Sequence, residues 1–560
     1  MFCVEFNELK LISSSALKHR KVFLGGLILF ISLILSCLTT ESHAQSLPRL
    51  SPIKLNPVLP ATGIVRAFQI SPNGQTVVFV ARAQSGSADI LYSVPISGGT
   101  PTRLSSDISG RDAFTDFQIT PDGTNVVFRG DQNARNLIEL FSVPIAGGAL
   151  TRLNGNLTTN GDVDSFKVSP NSQWVIYFAD QETDNVNEIF SSSITGQSNI
   201  KLNADATREG IRQFEFEISP NSDRVVFLND PKEANLLELF SVPIEGGTIT
   251  QLDDVFLNNI DVDISEVFDF KFTPDGQSVI YRAKEREFLN QALGLDTGLF
   301  STPIIGGAST LLSGVILAGS AYEISNNSSR LIFVGTQIGN PLALFSVDLS
   351  NIATPLAIAS DNSNSILRFN IDNVSERAVY QFNDFEQSLF SASYQNNPPN
   401  NTQLNLAGLG RVNLTDTAEV SGLQAYSTQL GVINVVPVIG GEVERINNEP
   451  ETLGSTSSIQ FNQDGSTLGF KVGSQIFARN LNASQTFIVN AQLISGGATF
   501  DYQFNSVGDR IVYRADQEID GKIELYSVLL PEPEPPISGS DESFCFPIKA
   551  SNANVAVICL

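Results

Sequence analysis

Histidine is nearly missing from this chain. Of 560 residues only His19 and His43 are histidines, and both lie in the first 44. Those 44 residues read as an export leader. Lys18-His19-Arg20-Lys21 is a basic cluster, 22–38 is an apolar run, and Ser42-His43-Ala44 has the small-x-small form of a cleavage site before Gln45. The chain beyond residue 44 therefore has no histidine, which excludes a Ser-His-Asp triad and histidine-ligated zinc. The apolar run sits at the lower limit for spanning a bilayer. An uncleaved anchor, or lipidation at Cys37 in the partial lipobox Ile34-Leu35-Ser36-Cys37, stays open as a membrane attachment.

Cysteine is almost as scarce. Of the four, Cys3 and Cys37 lie in the leader, so Cys545 and Cys559 remain. An even pair in an exported chain is expected to form a disulfide. The alternative is two buried thiols.

Positive charge is also short, with 34 Lys and Arg against 59 Asp and Glu and a net charge of −25. The first 44 residues hold Glu5, Glu8 and Glu41 against Lys10, Lys18, Arg20 and Lys21, so the remainder carries −26. Such a surface repels phosphate backbones and argues against nucleic-acid binding. It gives solubility, and it could attract cations or a basic partner. No long stretch has helical period. Gly408-Leu409-Gly410 lacks the third glycine and the helix of a dinucleotide loop.

What is present is a repeat. In 116–153, DFQITPDGTNVVFRGDQNARNLIELFSVPIAGGALTRL, four apolar runs are separated by turn signals. Pro121-Asp122-Gly123 presets a turn, Val126-Val127-Phe128 is a β-branched run, and Gly147-Gly148 suits a hairpin. The unit recurs at 68–104, 166–202, 216–252 and 270–312. Its turn prolines Pro72, Pro121, Pro170, Pro220 and Pro274 stand 49, 49, 50 and 54 residues apart. Copies without the proline begin near Ile324, Ile371, Phe461 and Phe504, and a poor one covers about 419–446. Ten four-stranded antiparallel units at this period predict an all-β protein, a β-propeller.

The S/T-P-D/N-G turn followed by an apolar run, a second run and Gly-Gly resembles the TolB-type, WD-like propeller repeat over roughly residues 60–530. The resemblance implies blades. It says little about activity, because such blades occur in periplasmic scaffolds, peptidase gating domains and carbohydrate-active enzymes. Peptidases of that kind need a hydrolase domain with a triad, and about 30 residues follow the repeats here, so that reading is rejected.

The last unit has three strand runs and then meets Pro531-Glu532-Pro533-Glu534-Pro535-Pro536, which cannot continue a sheet. Before the first unit, Ile53-Lys54-Leu55-Asn56 nearly repeats Ile200-Lys201-Leu202-Asn203, the fourth run of the third unit. The N-terminal segment is therefore expected to supply the missing strand and close one ring, with two rings as the alternative. The organisation is a signal peptide (1–44), a propeller (45–530), a Pro- and acid-rich linker (531–542) and a hairpin-like tail (543–560) with the cysteine pair.

No residue set names a reaction. The Asp of the loop after the second strand (Asp131, Asp180, Asp230, Asp516) reads as a turn cap. Asp162-Val163-Asp164 and Asp261-Val262-Asp263 with Glu266 are oxygen-rich but lack calcium-loop spacing, so calcium is a weak expectation and no other cofactor is expected. Arg66, Arg212 and Arg368 could converge on a channel and hold an anionic ligand, or form separate salt bridges. The expected function is an exported, non-catalytic scaffold that binds protein or glycan in the periplasm, on the outer membrane surface or outside the cell. The alternative is a lyase or glycosidase using carboxylates, Tyr and Arg.

Overall fold

The computed structural model describes residues 47–532, apart from connections such as 83–88, 106–115, 204–215, 230–236, 286–296 and 448–454. It also describes the backbone of Cys545–Lys549 and Val555–Cys559. The leader, Arg212, Asp230 and the linker from 533 on lie outside the described residues. No helix among the described residues is long and apolar enough to cross a membrane.

The turn chemistry builds the blades. In the second repeat Thr120, Pro121, Asp122 and Gly123 turn the chain between strands Asp116–Ile119 and Asn125–Gly130. The Gly123 N–H donates to Thr120 O (2.8 Å) and the Thr124 N–H to Asp122 Oδ1 (3.0 Å). Gly123 has φ 72°, where a side chain is disfavoured. The third, fourth and sixth repeats place Ser172, Ser222 and Ser328 there at φ 63°, 62° and 56°. Each serine hydroxyl accepts a backbone N–H from the preceding blade's turn, from Asp122 (3.0 Å), Asn171 (3.0 Å) and Asp275 (2.9 Å). The conformational cost of a non-glycine residue is offset by a blade-to-blade bond.

Ten such four-stranded antiparallel sheets follow one another. They span 64–103, 116–152, 163–201, 216–251, 264–311, 317–359, 366–403, 412–445, 456–488 and 499–529, and are numbered blades 1 to 10 in that order. Second strands such as Thr76–Arg82 are buried on both faces, so they read as unbroken apolar runs, whereas first strands alternate. In nine blades an aromatic ring on the second strand stacks on one directly across on the third, for instance Phe79 on Tyr92 (5.4 Å) and Tyr513 on Tyr526 (5.4 Å). Blade 8 sets Tyr426 against Asn434. It is a regular blade all the same, and its first strand, Val412–Thr417, begins ahead of the 419 boundary that the sequence suggested.

Adjacent blades are joined by apolar clusters. One joins blades 1 and 2 through Val78, Leu91, Phe117 and Val126, and comparable clusters link each pair up to blades 7 and 8, and blades 9 and 10. Blades 8 and 9 meet through the Phe461 N–H on Asp416 Oδ2 (2.8 Å) and the Arg479–Glu444 ion pair (2.8 Å). Blade 10 packs on blade 1 through Leu525 and Val512 against Val65 and Val77. That last cluster closes the circle, so the ten blades form one ring.

The N-terminal segment supplies the closing strand. Ile53–Lys54 pairs antiparallel with Glu524–Leu529, with Ile53 opposite Ser527 and Lys54 opposite Tyr526. A side-chain tie seals it. In most blades the second residue after the fourth strand folds back to accept the N–H of a third-strand residue. Asn154 takes Leu140 N (2.8 Å), Asn203 takes Ile189 N (3.0 Å) and Asn490 takes Ile476 N (2.9 Å). In blade 10 that residue is Asn56, which takes Leu525 N at 2.7 Å. The shared Lys-Leu-Asn wording of 54–56 and 201–203 is thus the wording of one structural part.

Candidate functional site

Ring geometry sorts the connections onto two faces. The turn between first and second strands is five residues long in nine blades and four in blade 7. On the opposite face the connection between second and third strands runs from two residues in blade 3 (184–185) to eleven in blade 5 (286–296). The connection from blade 4 to blade 5 carries an extra hairpin, Val255–Leu257 with Ile260–Val262. One face is uniform and the other is varied in length and content. Recognition loops carried on rigid scaffolds have the second character.

The first strands sit innermost, because those of neighbouring blades are close enough to bond each other. Gln69 Nε2 donates to Phe117 O (2.9 Å), and the Val168 N–H to Gln118 Oε1 (3.1 Å). Lys167 pairs with Glu217 (2.5 Å) and Lys271 with Glu323 (2.9 Å). The position just before the last residue of the first strand is polar in these blades and belts them together. Its recurrence was visible in the repeats as FQI, FQI, FKV, FEI and FKF, but nothing in the wording alone shows that the polar residue faces the next blade.

Other carboxylates of this wall are paired inside their own blades. Asp116 binds Arg129 (2.6 Å), Asp269 binds Arg282 (2.5 Å) and Asp501 binds Arg514 (2.7 Å). Arg514 also reaches the backbone carbonyls of Val65 and Arg66 in blade 1. Two of the three arginines singled out from sequence are described. Arg66, in Ile64–Ile70, pairs with Asp89 (2.7 Å), a buried carboxylate that Arg82 also binds (2.7 Å). Arg368, in Ile366–Asp372, donates to Gln381 Oε1 (2.7 Å), and burial lowers its pKa. They belong to blades 1 and 7 and line separate pockets. A pocket of 390 Å³ holds Arg66, Gln69, Asp89 and Asp116. One of 290 Å³ holds Arg368, Asn370, Gln381 and Gln424. Arg66 keeps 43 % of its side chain exposed and is the donor that the first pocket offers to solvent.

All ten tyrosines are described, and nine are buried; Tyr92 is half-buried. Burial pushes the Tyr177 phenol up to about 12, and its hydroxyl donates to Gln181 (2.8 Å). Burial likewise raises Tyr513, which donates to Gln517 (3.0 Å). The recurring loop aspartates cap turns as expected. Asp180 accepts the Asn185 and Asp162 N–H groups (3.0 and 2.6 Å), and Asp516 accepts those of Gly521 and Ala498 (3.1 and 2.5 Å). Asp162 accepts the Ile138 N–H (2.7 Å), while burial, with Asp180 and Asp164 near, raises its pKa. Among the described residues no three His, Cys, Asp or Glu side chains gather where they could hold a metal.

The fold and its wall define a ten-bladed β-propeller whose polar inner strands serve blade-to-blade bonding. No family model matches the sequence, and no curated protein matches it. Solved structures with similarity include prolyl oligopeptidase B from Galerina marginata (TM-score 0.35, 10 % identity, 64 % of this chain). This chain spans 56 % of that protein's length. A eukaryotic initiation factor matches at TM-score 0.44 and 14 % identity, over 71 % of this chain and 91 % of that one. A TolB-type protein from Agrobacterium tumefaciens matches at TM-score 0.25 and 16 % identity, over 44 % of this chain and 80 % of that one. These scores are low, and the propeller assignment rests on the strand pairing and ring closure above.

Proposed function

We propose that this protein is an exported, non-catalytic scaffold of the cell envelope that binds a macromolecular partner through its variable loop face. The observation that carries the reading is how the wall's reactive groups are used. Asp116, Asp269 and Asp501 are ion-paired with arginines of their own blades, and nine of ten tyrosines are buried. A lyase or glycosidase needs an accessible acid and base near the sugar. Those carboxylates are instead held by arginine, and those phenols are buried out of reach of a sugar.

A protein partner suits the surface better than a glycan. Among the described exposed large apolar residues Phe500, 41 % exposed, is the one aromatic, which leaves little platform for stacking sugar rings. The sequence of blade 4 and of the lead into blade 5 is acidic. Between Lys232 and Lys271 the sequence has nine Asp and Glu and no Lys or Arg. A basic protein surface complements it.

The test is capture from envelope extract with the chain 45–560. One stoichiometric partner is expected, bound at least about tenfold more weakly by a variant carrying Asp254→Lys, Asp261→Lys and Glu266→Lys, a change of about 1.4 kcal/mol. Turnover of any member of a polysaccharide panel would overturn the non-catalytic reading. A mature N-terminus other than Gln45 in the recovered protein would overturn cleavage of the leader at that site.

A further inference from the structure

We propose that Cys545 and Cys559 form an intrachain disulfide that turns residues 545–559 into a covalently closed β-hairpin carried on the Pro-rich linker. Cys545–Lys549 and Val555–Cys559 pair antiparallel, and their register places Cys545 directly opposite Cys559. Opposed residues of such a pair have Cα atoms about 4.5 Å apart at a non-hydrogen-bonded position and about 5.5 Å at a hydrogen-bonded one. A disulfide spans roughly 4.4–6.8 Å between Cα atoms, so either position can be bridged. A slip of one residue would set Cys545 against Ile558 and move the two cysteines to opposite faces. The bridge therefore also fixes the register.

The hairpin needs such a fastening. Two strands alone are marginal in water, and Pro531, Pro533, Pro535 and Pro536 cannot lend it a third strand from the chain just before it. The same register gives the closed hairpin two distinct faces. Phe546, Ile548, Ala556 and Ile558 share one, and the cysteines share the other with Pro547, Lys549, Val555 and Val557. A closed ring holds the aliphatic and aromatic positions of the first face in one arrangement, which lowers the ordering cost of binding through them.

The chemistry balances with a disulfide donor such as glutathione disulfide. One thiolate attacks the donor and releases glutathione thiol. The second thiolate then displaces the remaining glutathione from the mixed disulfide. Two protons and two electrons leave the protein as one S–S bond forms, and the donor is reduced to two thiols. The pairing itself follows from register; only the place where the oxidant is met rests on the export reading.

Lys549 lies between the two cysteines, so trypsin separates 523–549 from 550–560 unless the bridge holds them. Reduced 45–560 is exposed to glutathione disulfide, alkylated and digested. The expected result is a linked peptide pair that parts on reduction, from protein that stays monomeric on a non-reducing gel and loses the link as Cys559→Ser. Two separately alkylated peptides, or disulfide-linked dimers, would overturn the proposal. Protein recovered from cells gives the second arm. A link there supports both readings, whereas a link formed only in vitro supports the hairpin and counts against export. An unchanged melting temperature for Cys559→Ser shows that the ring of that variant is folded.

Discussion

Blade 4 shows how much one side chain can matter in a repeated part. Where six blades follow the fourth strand with an Asn tie and blades 1 and 5 use Ser105 and Ser313, blade 4 has Asp253, 5 % exposed. Burial, with Glu238 near, raises its pKa to about 7. The unfolded chain gives up that proton near pH 4 and the folded one holds it to about 7. Stability therefore falls as pH rises from about 4 to 7 and stays reduced above that, by on the order of 4 kcal/mol. Asp253→Asn is expected to raise the melting temperature by several degrees at pH 8 and to change it little at pH 4, measured by calorimetry. An equal shift at both values would show that the buried charge is not the cause. The converse change, Asn154→Ala, leaves the Leu140 N–H unpaired in a buried site and is expected to cost about 1–3 kcal/mol by denaturant titration. Sequence wording gives the recurrence of Asn here. It does not give the partner N–H, which lies fourteen residues back in the chain.

At the scale of elements, the closing strand is the sensitive one. Lys54 binds Glu518 (2.7 Å) and Glu524 (2.9 Å), and Glu524 is 1 % exposed. Burial pushes the Glu524 carboxyl up, but hydrogen bonds from Lys54 and Lys522 outweigh it and hold the pKa below its ordinary value. A depressed carboxylate adds stability above its unfolded pKa and loses it as pH falls through the folded one, so closure should loosen in acid. Lys54→Ala leaves one of that buried charge's two cationic partners and is expected to destabilise the protein by up to about 3–5 kcal/mol, read from the urea midpoint at pH 7. The loss should shrink below pH 4. Nine strand quartets were legible because an aromatic and an apolar run recur in fixed order, with a Gly turn in most copies. Blade 8 was hard to see for a matching physical reason. Its second strand has Tyr426, but Asn434 stands where other blades stack a ring, so the strongest recurring word is missing.

For the whole molecule, ring closure predicts cooperativity. Deleting residues 45–58 removes Ile53–Lys54, Leu55 and Asn56 and exposes the edge of Glu524–Leu529. That variant is expected to show a larger radius by small-angle scattering and early proteolysis in blades 10 and 1. Deleting 533–560 is expected to leave radius and melting temperature unchanged. Equal behaviour of the two truncations would contradict closure by the N-terminal strand. The loop face is where sequence reasoning ended. Composition counts the acid of the chain but cannot place it on a face, and Arg66 and Arg368, read from sequence as candidate channel ligands, lie in blades 1 and 7 and line different pockets. The amino-acid sequence by itself determined the blades, because turn chemistry and apolar runs act over a few residues and are written in order. Only the tertiary structure decided that there is one ring, which polar side chains face the next blade, and which carboxylates are already held by arginine. Ring closure and the blade-to-blade bonds join residues about fifty to several hundred positions apart, and the Asp–Arg pairs join adjacent strands thirteen residues apart across a turn; no local pattern encodes which side chains meet.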